Sequence, residues 1–485
     1  MTTRPFDTDQ TQWIGGVSET SHSADTLVVC DPAKAEPIKM VPRGCSDDAF
    51  AAVEVARQVQ PGWAELAPFD RAERLRQCLK QLQHGRDSIA KLLTRENGKP
   101  IAQAEAEIDA TVVVNRGLIE TGVSFSARHC GAAPDELLFQ QWHPRGVAAC
   151  ISTWNAPVYV AVEMVIANLI VGNTVILKTS ERAPLATRLA CELMFSELPK
   201  GVLSVLTGDG LNVGEPLLRH QDVDVICFVG SVGVGKKIGR IAGERICKAV
   251  LELGGKDAMI IDDTVDRAAA AKLAGPSCFD NSGQICTSTE RIYVLRSVHD
   301  EFVAHINNIA KALRIGDGMQ RDTQMGPMID QAMLDQVQRH VDEAVGNGAS
   351  VVTGGRRLDR PGYFYPPTVL IGVTDEMALM QEETFGPVAA IMAVDSFEQA
   401  IERANASEFG LGATIYTENA PRALQAIHQL KCGLIKINTP RGQIPFCPAE
   451  PTGNSGLGVG HGLEFLHELT YRKAIHWKAS PGENC

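Results

Sequence analysis

Aromatic residues are scarce in this chain, at 5%, and positive charge is not in excess. Its 46 lysines and arginines face 58 aspartates and glutamates, for a net charge of -12. Such a chain does not seek nucleic acid or anionic membranes as bulk partners. No C-x-x-C pair occurs among its 13 cysteines, which excludes zinc-ribbon spacing and, at this length, a disulfide framework. The 12 histidines form no His-x-x-x-His or Cys/His cluster, so no metal site is expected. Long hydrophobic runs are missing too. The most apolar stretch, Pro157 to Val171, contains Glu163 and Asn168 and is too short to cross a bilayer. The opening residues, MTTRPFDTDQTQW, lack a basic region ahead of an apolar one, so no signal peptide is expected. Reduced thiols and the lack of these signals lead to the expectation of a cytoplasmic protein.

What is present is ordinary globular material. Of 485 residues, 44% are hydrophobic and 21% charged, enough for about three domains. Apolar residues recurring at three and four predict helices from Phe50 to about Ser126. Short apolar runs at Gly146–Thr153, Asn173–Lys178 and Asp224–Val229 predict strands. Helices are predicted between and after them, at Val158–Val171, Pro184–Glu197 (Leu185, Leu189 and Leu193 sharing a face) and Gly235–Glu244. Strand and helix in alternation with short loops imply a parallel sheet. After Gly254-Gly255 a second α/β region is expected. It has strands at Ala258–Ile261 and Arg291–Leu295, and helices at Asp300–Leu313, Asp330–Val345 and from Ser396, where Ser-Phe-Glu-Gln fits a capping box.

Three segments could carry chemistry. Cys286 closes Phe279-Asp280-Asn281-Ser282-Gly283-Gln284-Ile285-Cys286; taken alone, a cysteine is usually a small buried hydrophobe. Glu252 sits in Leu251-Glu252-Leu253-Gly254-Gly255-Lys256, where a surface-facing strand residue is the plain alternative. Asn155 lies in Thr153-Trp154-Asn155-Ala156-Pro157, where a turn or cap would account for it. Together they offer a thiol nucleophile, a base and an oxyanion donor.

The order of motifs resembles the aldehyde dehydrogenase superfamily. The matches are Pro144-Arg145-Gly146-Val147 leading to Trp154-Asn155; Gly172 to Lys178 with Glu181; Phe228-Val229-Gly230-Ser231 with Gly235; Glu252 to Lys256; Gly283-Gln284-Ile285-Cys286; and Glu382-Glu383-Thr384-Phe385-Gly386-Pro387. The resemblance implies an α/β fold with two Rossmann-type doubly wound domains and a small β oligomerisation arm. Residues 1–126 and 146–254 would bind the dinucleotide, 255–440 would carry the thiol, and 127–145 with 466–485 would form the arm and tail. A homodimer or homotetramer is implied.

By the same resemblance, Cys286 attacks an aldehyde, Asn155 holds the oxyanion and Glu252 activates water for thioester hydrolysis. Trp154, Lys178, Glu181, Gly230, Ser231, Gly235, Gly254, Glu383 and Phe385 match the cofactor site. Glu181 would accept from both ribose hydroxyls, favouring NAD over NADP. Ala110, Ala156, Tyr159, Glu163, Asp280, Ile285 and Thr287 match the substrate tunnel. Ala156 and Asp280 stand where the family commonly has large aromatics, which would widen the tunnel, and Glu163 and Asp280 would make it acidic, implying a bulky, polar or cationic aldehyde, such as an aminoaldehyde. The alternatives are a semialdehyde or aromatic aldehyde dehydrogenase, a thiol acyltransferase or esterase without nicotinamide, and a catalytically silent binding or structural homologue. The chain departs from the family pattern at Thr153, where proline is usual, and at Pro445–Gly456, where the usual glycine-rich loop is rewritten.

Overall fold

The computed structural model describes residues 10–125, 127–133, 135–439 and 447–478. Ser126, Pro445, Phe446 and residues 479–485 of the expected tail lie outside the described residues. Two large sheets dominate. The first has eight strands in the spatial order Val17–Thr20, Thr11–Ile14, Leu203–Leu206, Thr174–Lys178, Val147–Ile151, Val225–Val229, Lys248–Glu252 and Gly456–Leu457. Its five central strands run parallel. Every residue of Val147–Ile151 and of Thr174–Lys178 is buried, the reason these strands read as unbroken apolar runs and not as alternating ones. From Val147–Ile151 the order runs outward one way to 174–178 and 203–206 and the other way to 225–229 and 248–252. That reversal opens a crevice at the carboxyl ends of the strands, the usual place for a ligand in a doubly wound sheet.

The helices lie where the periodicity put them. Four cover 46–123: Ser46–Glu65, Pro68–His84, Arg86–Asn97 and Ile101–Val123. The helix Pro157–Val171 is apolar on nearly all sides because it is sandwiched between the sheet and these helices. Proline opens it, and Gly172 closes it in the left-handed conformation, φ 100°. Two details differ from the sequence reading. The helix Val232–Arg245 begins before Gly235, since Ser231 and the glycines after it hide its start. In Leu185–Phe195 the buried row is Ala186, Ala190 and Met194, while Leu193 is 39% exposed against Gly85. Leu185 is buried and Leu189 packs against the core, so only the far end of the leucine row turns outward.

The second sheet has seven strands, in the order Ser350–Thr353, Thr368–Ile371, Val388–Val394, Thr289–Leu295, Asp257–Ile261, Gly412–Tyr416 and Leu434–Ile437. All pairings are parallel except that of the first, edge strand. The Ser396 hydroxyl caps Phe397–Asn405 by accepting from the Gln399 N–H at 3.2 Å. A third, antiparallel sheet joins Arg128–Ala133, Glu136–Pro144 and Thr470–Lys478. No helix among the described residues is long and apolar enough to cross a membrane.

Candidate active site

The strand Val147–Ile151 ends in the loop that carries Trp154 and Asn155 into the helix Pro157–Val171. Lys99, in the loop ahead of the helix Ile101–Val123, and Glu107, within that helix, fix this loop. Lys99 Nζ donates to the Asn155 carbonyl at 2.7 Å and pairs with Glu107 Oε2 at 2.5 Å. Glu107 Oε1 accepts from the N–H groups of Val158 and Tyr159 at 3.1 and 3.2 Å, placing a carboxylate on the positive end of that helix. Thr153, the unexpected residue, donates from its hydroxyl to Asn155 Oδ1 at 2.9 Å. This orients the amide so that Nδ2 donates to the Gln284 carbonyl at 3.0 Å. An amide has two N–H donors, so one remains beyond this bond, and Asn155 lines the cavity.

Cys286 arrives by a strained route. The helix Arg267–Phe279 is followed by three successive residues in the left-handed region: Asn281, Ser282 and Gly283, with φ 49°, 58° and 72°. Each non-glycine member costs on the order of 1–3 kcal/mol. Surrounding bonds offset this. Ser282 Oγ donates to the Gly326 carbonyl at 2.8 Å, Gln284 Nε2 to the Asn281 carbonyl at 2.9 Å, and the Ile329 N–H to Gln284 Oε1 at 2.9 Å. Gly283 is irreplaceable, because a Cβ there would lie 2.0 Å from the Gly386 carbonyl oxygen. Gly-Gln in the nucleophile motif is thus the hardware of the turn.

The turn places Cys286 on a single cavity of about 1350 Å³ that also reaches Asn155 and Glu252. Burial pushes the Cys286 thiol up to about 12, helped by the carboxylates of Asp257, Glu252 and Glu383 and opposed by the Thr287 N–H. The resting sulfur is therefore a thiol. Its alkylation by iodoacetamide is expected to accelerate about tenfold per pH unit, without a plateau up to pH 10; a plateau below pH 9 would contradict this. Glu252 ends the strand Lys248–Glu252, and its Oε1 accepts from the Gly460 N–H at 2.9 Å. Burial raises its pKa.

All seven expected tunnel residues (Ala110, Ala156, Tyr159, Glu163, Asp280, Ile285 and Thr287) line this cavity. Glu163 is already partnered: its Oε1 lies 3.0 Å from His461 Nδ1. Of the expected cofactor residues, Trp154, Lys178, Glu181, Gly230, Ser231, Gly254, Glu383 and Phe385 also line it. Lys178 Nζ pairs with Glu181 Oε2 at 2.9 Å. Gly235 is the exception. It lies in the helix after Ser231, away from the cavity wall, and a Cβ there would come 2.4 Å from Leu253 Cδ2. Its small size lets the helix lie close on the chain after the strand, which sets where Gly230 and Ser231 stand.

The Glu383–Phe385 segment is clamped from below. Glu290 accepts from the N–H groups of Thr384 and Phe385 at 2.7 and 2.8 Å and pairs with the fully buried Lys256 at 2.5 Å. Phe385, at φ 53°, meets the Trp154 ring edge-on at 5.4 Å. Burial, with Glu290 nearby, pushes Glu383 up to about 8, against the Gly255 N–H, which donates to Glu383 Oε1 at 3.0 Å.

Sequence reasoning missed Lys99, Glu107, Glu290 and His461. For the first three there was no local signal. His461 had one, since it stands between glycines in Gly458-Val459-Gly460-His461-Gly462.

Known proteins resemble this chain in sequence and share its fold. Residues 19–475 match the aldehyde dehydrogenase family. The chain is 34% identical to a lactaldehyde dehydrogenase of Escherichia coli (strain K12) over 472 residues, 96% of this chain and 98% of that one. A solved lactaldehyde dehydrogenase structure superposes with a TM-score of 0.94 at 33% identity, covering 97% of this chain and 99% of that one. A betaine aldehyde dehydrogenase from Staphylococcus aureus, solved with NAD+, gives 0.95 at 29% identity, covering 99% and 96%. The chain belongs to the aldehyde dehydrogenase family.

Proposed function

We propose that the protein oxidises an aldehyde to its carboxylic acid with NAD, through a thioester on Cys286 that Glu252 hydrolyses. The observation that carries this is the meeting of Cys286, Asn155 and Glu252 on one cavity whose other end holds Lys178, Glu181, Gly230 and Ser231. Those residues fit a dinucleotide. The helix Val232–Arg245 points its N-terminus at the Gly230-Ser231 turn, which suits a pyrophosphate. Glu181, half-exposed beside Lys178, suits ribose hydroxyls.

The Cys286 sulfur bonds to the aldehyde carbon as the thiol proton passes to solvent. The new oxyanion is held by the Asn155 amide and the Cys286 N–H. Bound NAD supplies the acceptor for the hydride that leaves this carbon. Glu252 then takes a proton from water, the water oxygen bonds to the thioester carbon, and the carbon–sulfur bond breaks. The acid departs, and the thiolate regains a proton from solvent to restore the thiol. A stirred assay at 340 nm with NAD and mixed aldehydes tests this. Absence of NADH formation with every aldehyde would favour the silent or purely acyl-transferring readings.

Asp280 on the cavity wall supports a polar or cationic substrate, and Ala156 and Asp280 in place of larger side chains make room for a bulky one. The betaine aldehyde dehydrogenase among the relatives bears a name consistent with this. An aldehyde panel is expected to favour aminoaldehydes; best turnover with short aliphatic aldehydes or anionic semialdehydes would refute it. Glu181→Thr is expected to raise kcat/KM with NADP about tenfold and lower it with NAD, because the carboxylate no longer repels a 2′-phosphate. An unchanged cofactor ratio would remove Glu181 from that role.

In this reading 1–126 and 146–254 form the cofactor domain, 255–440 the catalytic domain, and 127–145 with 466–485 the arm and tail of a cytoplasmic homodimer or homotetramer. The arm's exposed Leu137, Leu138 and Trp477 support it. Light scattering of the purified protein tests the assembly.

A further inference from the structure

Two carboxylates and an imidazole meet on the cavity wall, brought there by a segment from the far end of the chain. Gly456–Leu457 pairs antiparallel with Leu251 and Glu252. The next turn delivers the Gly460 N–H to Glu252 Oε1 at 2.9 Å and His461 Nδ1 to Glu163 Oε1 at 3.0 Å. Gly460 has no room for a side chain, since a Cβ would stand 2.6 Å from Glu252 Oε1. Glu163 is 3% exposed, and it is the one charged residue of a largely apolar helix. A carboxylate in such a place is costly unless it is paired, and its pair is His461.

Facing His461 are Glu163 and Glu252; facing Glu252 are His461 and Glu163. Cys286 feels Glu252, and Tyr159 feels both Glu163 and Cys286. Burial disfavours a charged imidazole, but Glu163 and then Glu252 hold the His461 pKa at about 9. For Glu252, burial pushes up, the His461 charge and the Gly460 N–H pull down, and Glu163 pushes up.

We infer that His461 is a positioning residue for thioester hydrolysis: paired on Glu163, and next in the chain to the Gly460 N–H that Glu252 accepts, it sets a positive charge near Glu252 that favours the carboxylate form, the form that takes a proton from water. This rests on the proposed role of Glu252 as the base. His461 itself gives up no proton. The water proton goes to Glu252, the water oxygen bonds to the thioester carbon, and the electron pair of the carbon–sulfur bond leaves with the Cys286 sulfur. The arrangement also removes Glu163 from substrate recognition.

Stopped-flow NADH formation on the full-length protein tests this, with pH profiles of burst and steady state. Glu252→Gln is expected to give a burst of one NADH per site followed by slow turnover. His461→Asn keeps a donor toward Glu163 but loses the charge. It is expected to give a burst as well, and to move the acid limb of the steady-state rate up by about one pH unit, a tenfold loss on that limb. His461→Lys restores the charge and is expected to return the limb toward the parent position. Should His461→Asn not fold, His461→Gln provides the neutral variant. An unshifted limb without a burst in the neutral variant, while Glu252→Gln shows its burst, would overturn the role of His461 and leave the base intact. Absence of a burst in Glu252→Gln would instead overturn the base.

Discussion

Cys286→Ala is expected to abolish aldehyde-dependent NADH formation, lowering kcat at least about 10⁴-fold, because every step after binding passes through a bond to that sulfur. The loss is expected without a loss of fold. Cys286 follows the strained turn but is not among the residues that hold it; Ser282, Gln284 and Gly283 do that. Thermal melting of the variant should therefore match the parent, and NAD binding by fluorescence quenching should persist. Residual turnover within tenfold of the parent would remove the thiol mechanism.

Asn155→Ala is expected to lower kcat/KM by about 10²–10³, the usual cost of one oxyanion donor. The side chain is small, but its amide is aimed by Thr153 Oγ1 and the backbone beneath it is pinned by Lys99. The loss should fall on thioester formation, so no NADH burst is expected, in contrast to Glu252→Gln. Iodoacetamide alkylation of Cys286 separates oxyanion binding from a merely structural effect, since alkylation develops no oxyanion. An alkylation rate within twofold of the parent is expected. A parallel fall in both would show that Asn155 only shapes the turn through its bond to the Gln284 carbonyl.

Much of this was legible in the sequence, for reasons that differ from element to element. Val147–Ile151 and Thr174–Lys178 are buried on both faces, so they appear as bare apolar runs. Pro157 and Gly172 mark the two ends of the helix between them. Cys286, Asn155 and Glu252 came from the order of motifs, not from spacing alone. What stayed hidden was non-local. Glu163 and His461 stand 298 positions apart, and Gly460 and Glu252 stand 208 apart. No periodicity links such pairs, and Glu163 alone read as an acid facing substrate. Lys99 and Glu290 act by bonding to backbone groups of distant turns, an interaction that leaves no pattern in the residues contacted. Leu193 shows the opposite failure, where composition suggested burial that packing did not supply.

The strand Gly456–Leu457 has a temporal meaning as well. It closes the wall beside Glu252, yet it follows Cys286 by about 170 positions in the chain. During synthesis the sulfur is made long before the segment that steadies its hydrolytic partner. A ribosome-bound chain of that intermediate length would hold a nucleophile with no means of clearing an acyl group. Competence for turnover, as opposed to a single capture, arrives only when the segment 456–461 docks beside Glu252.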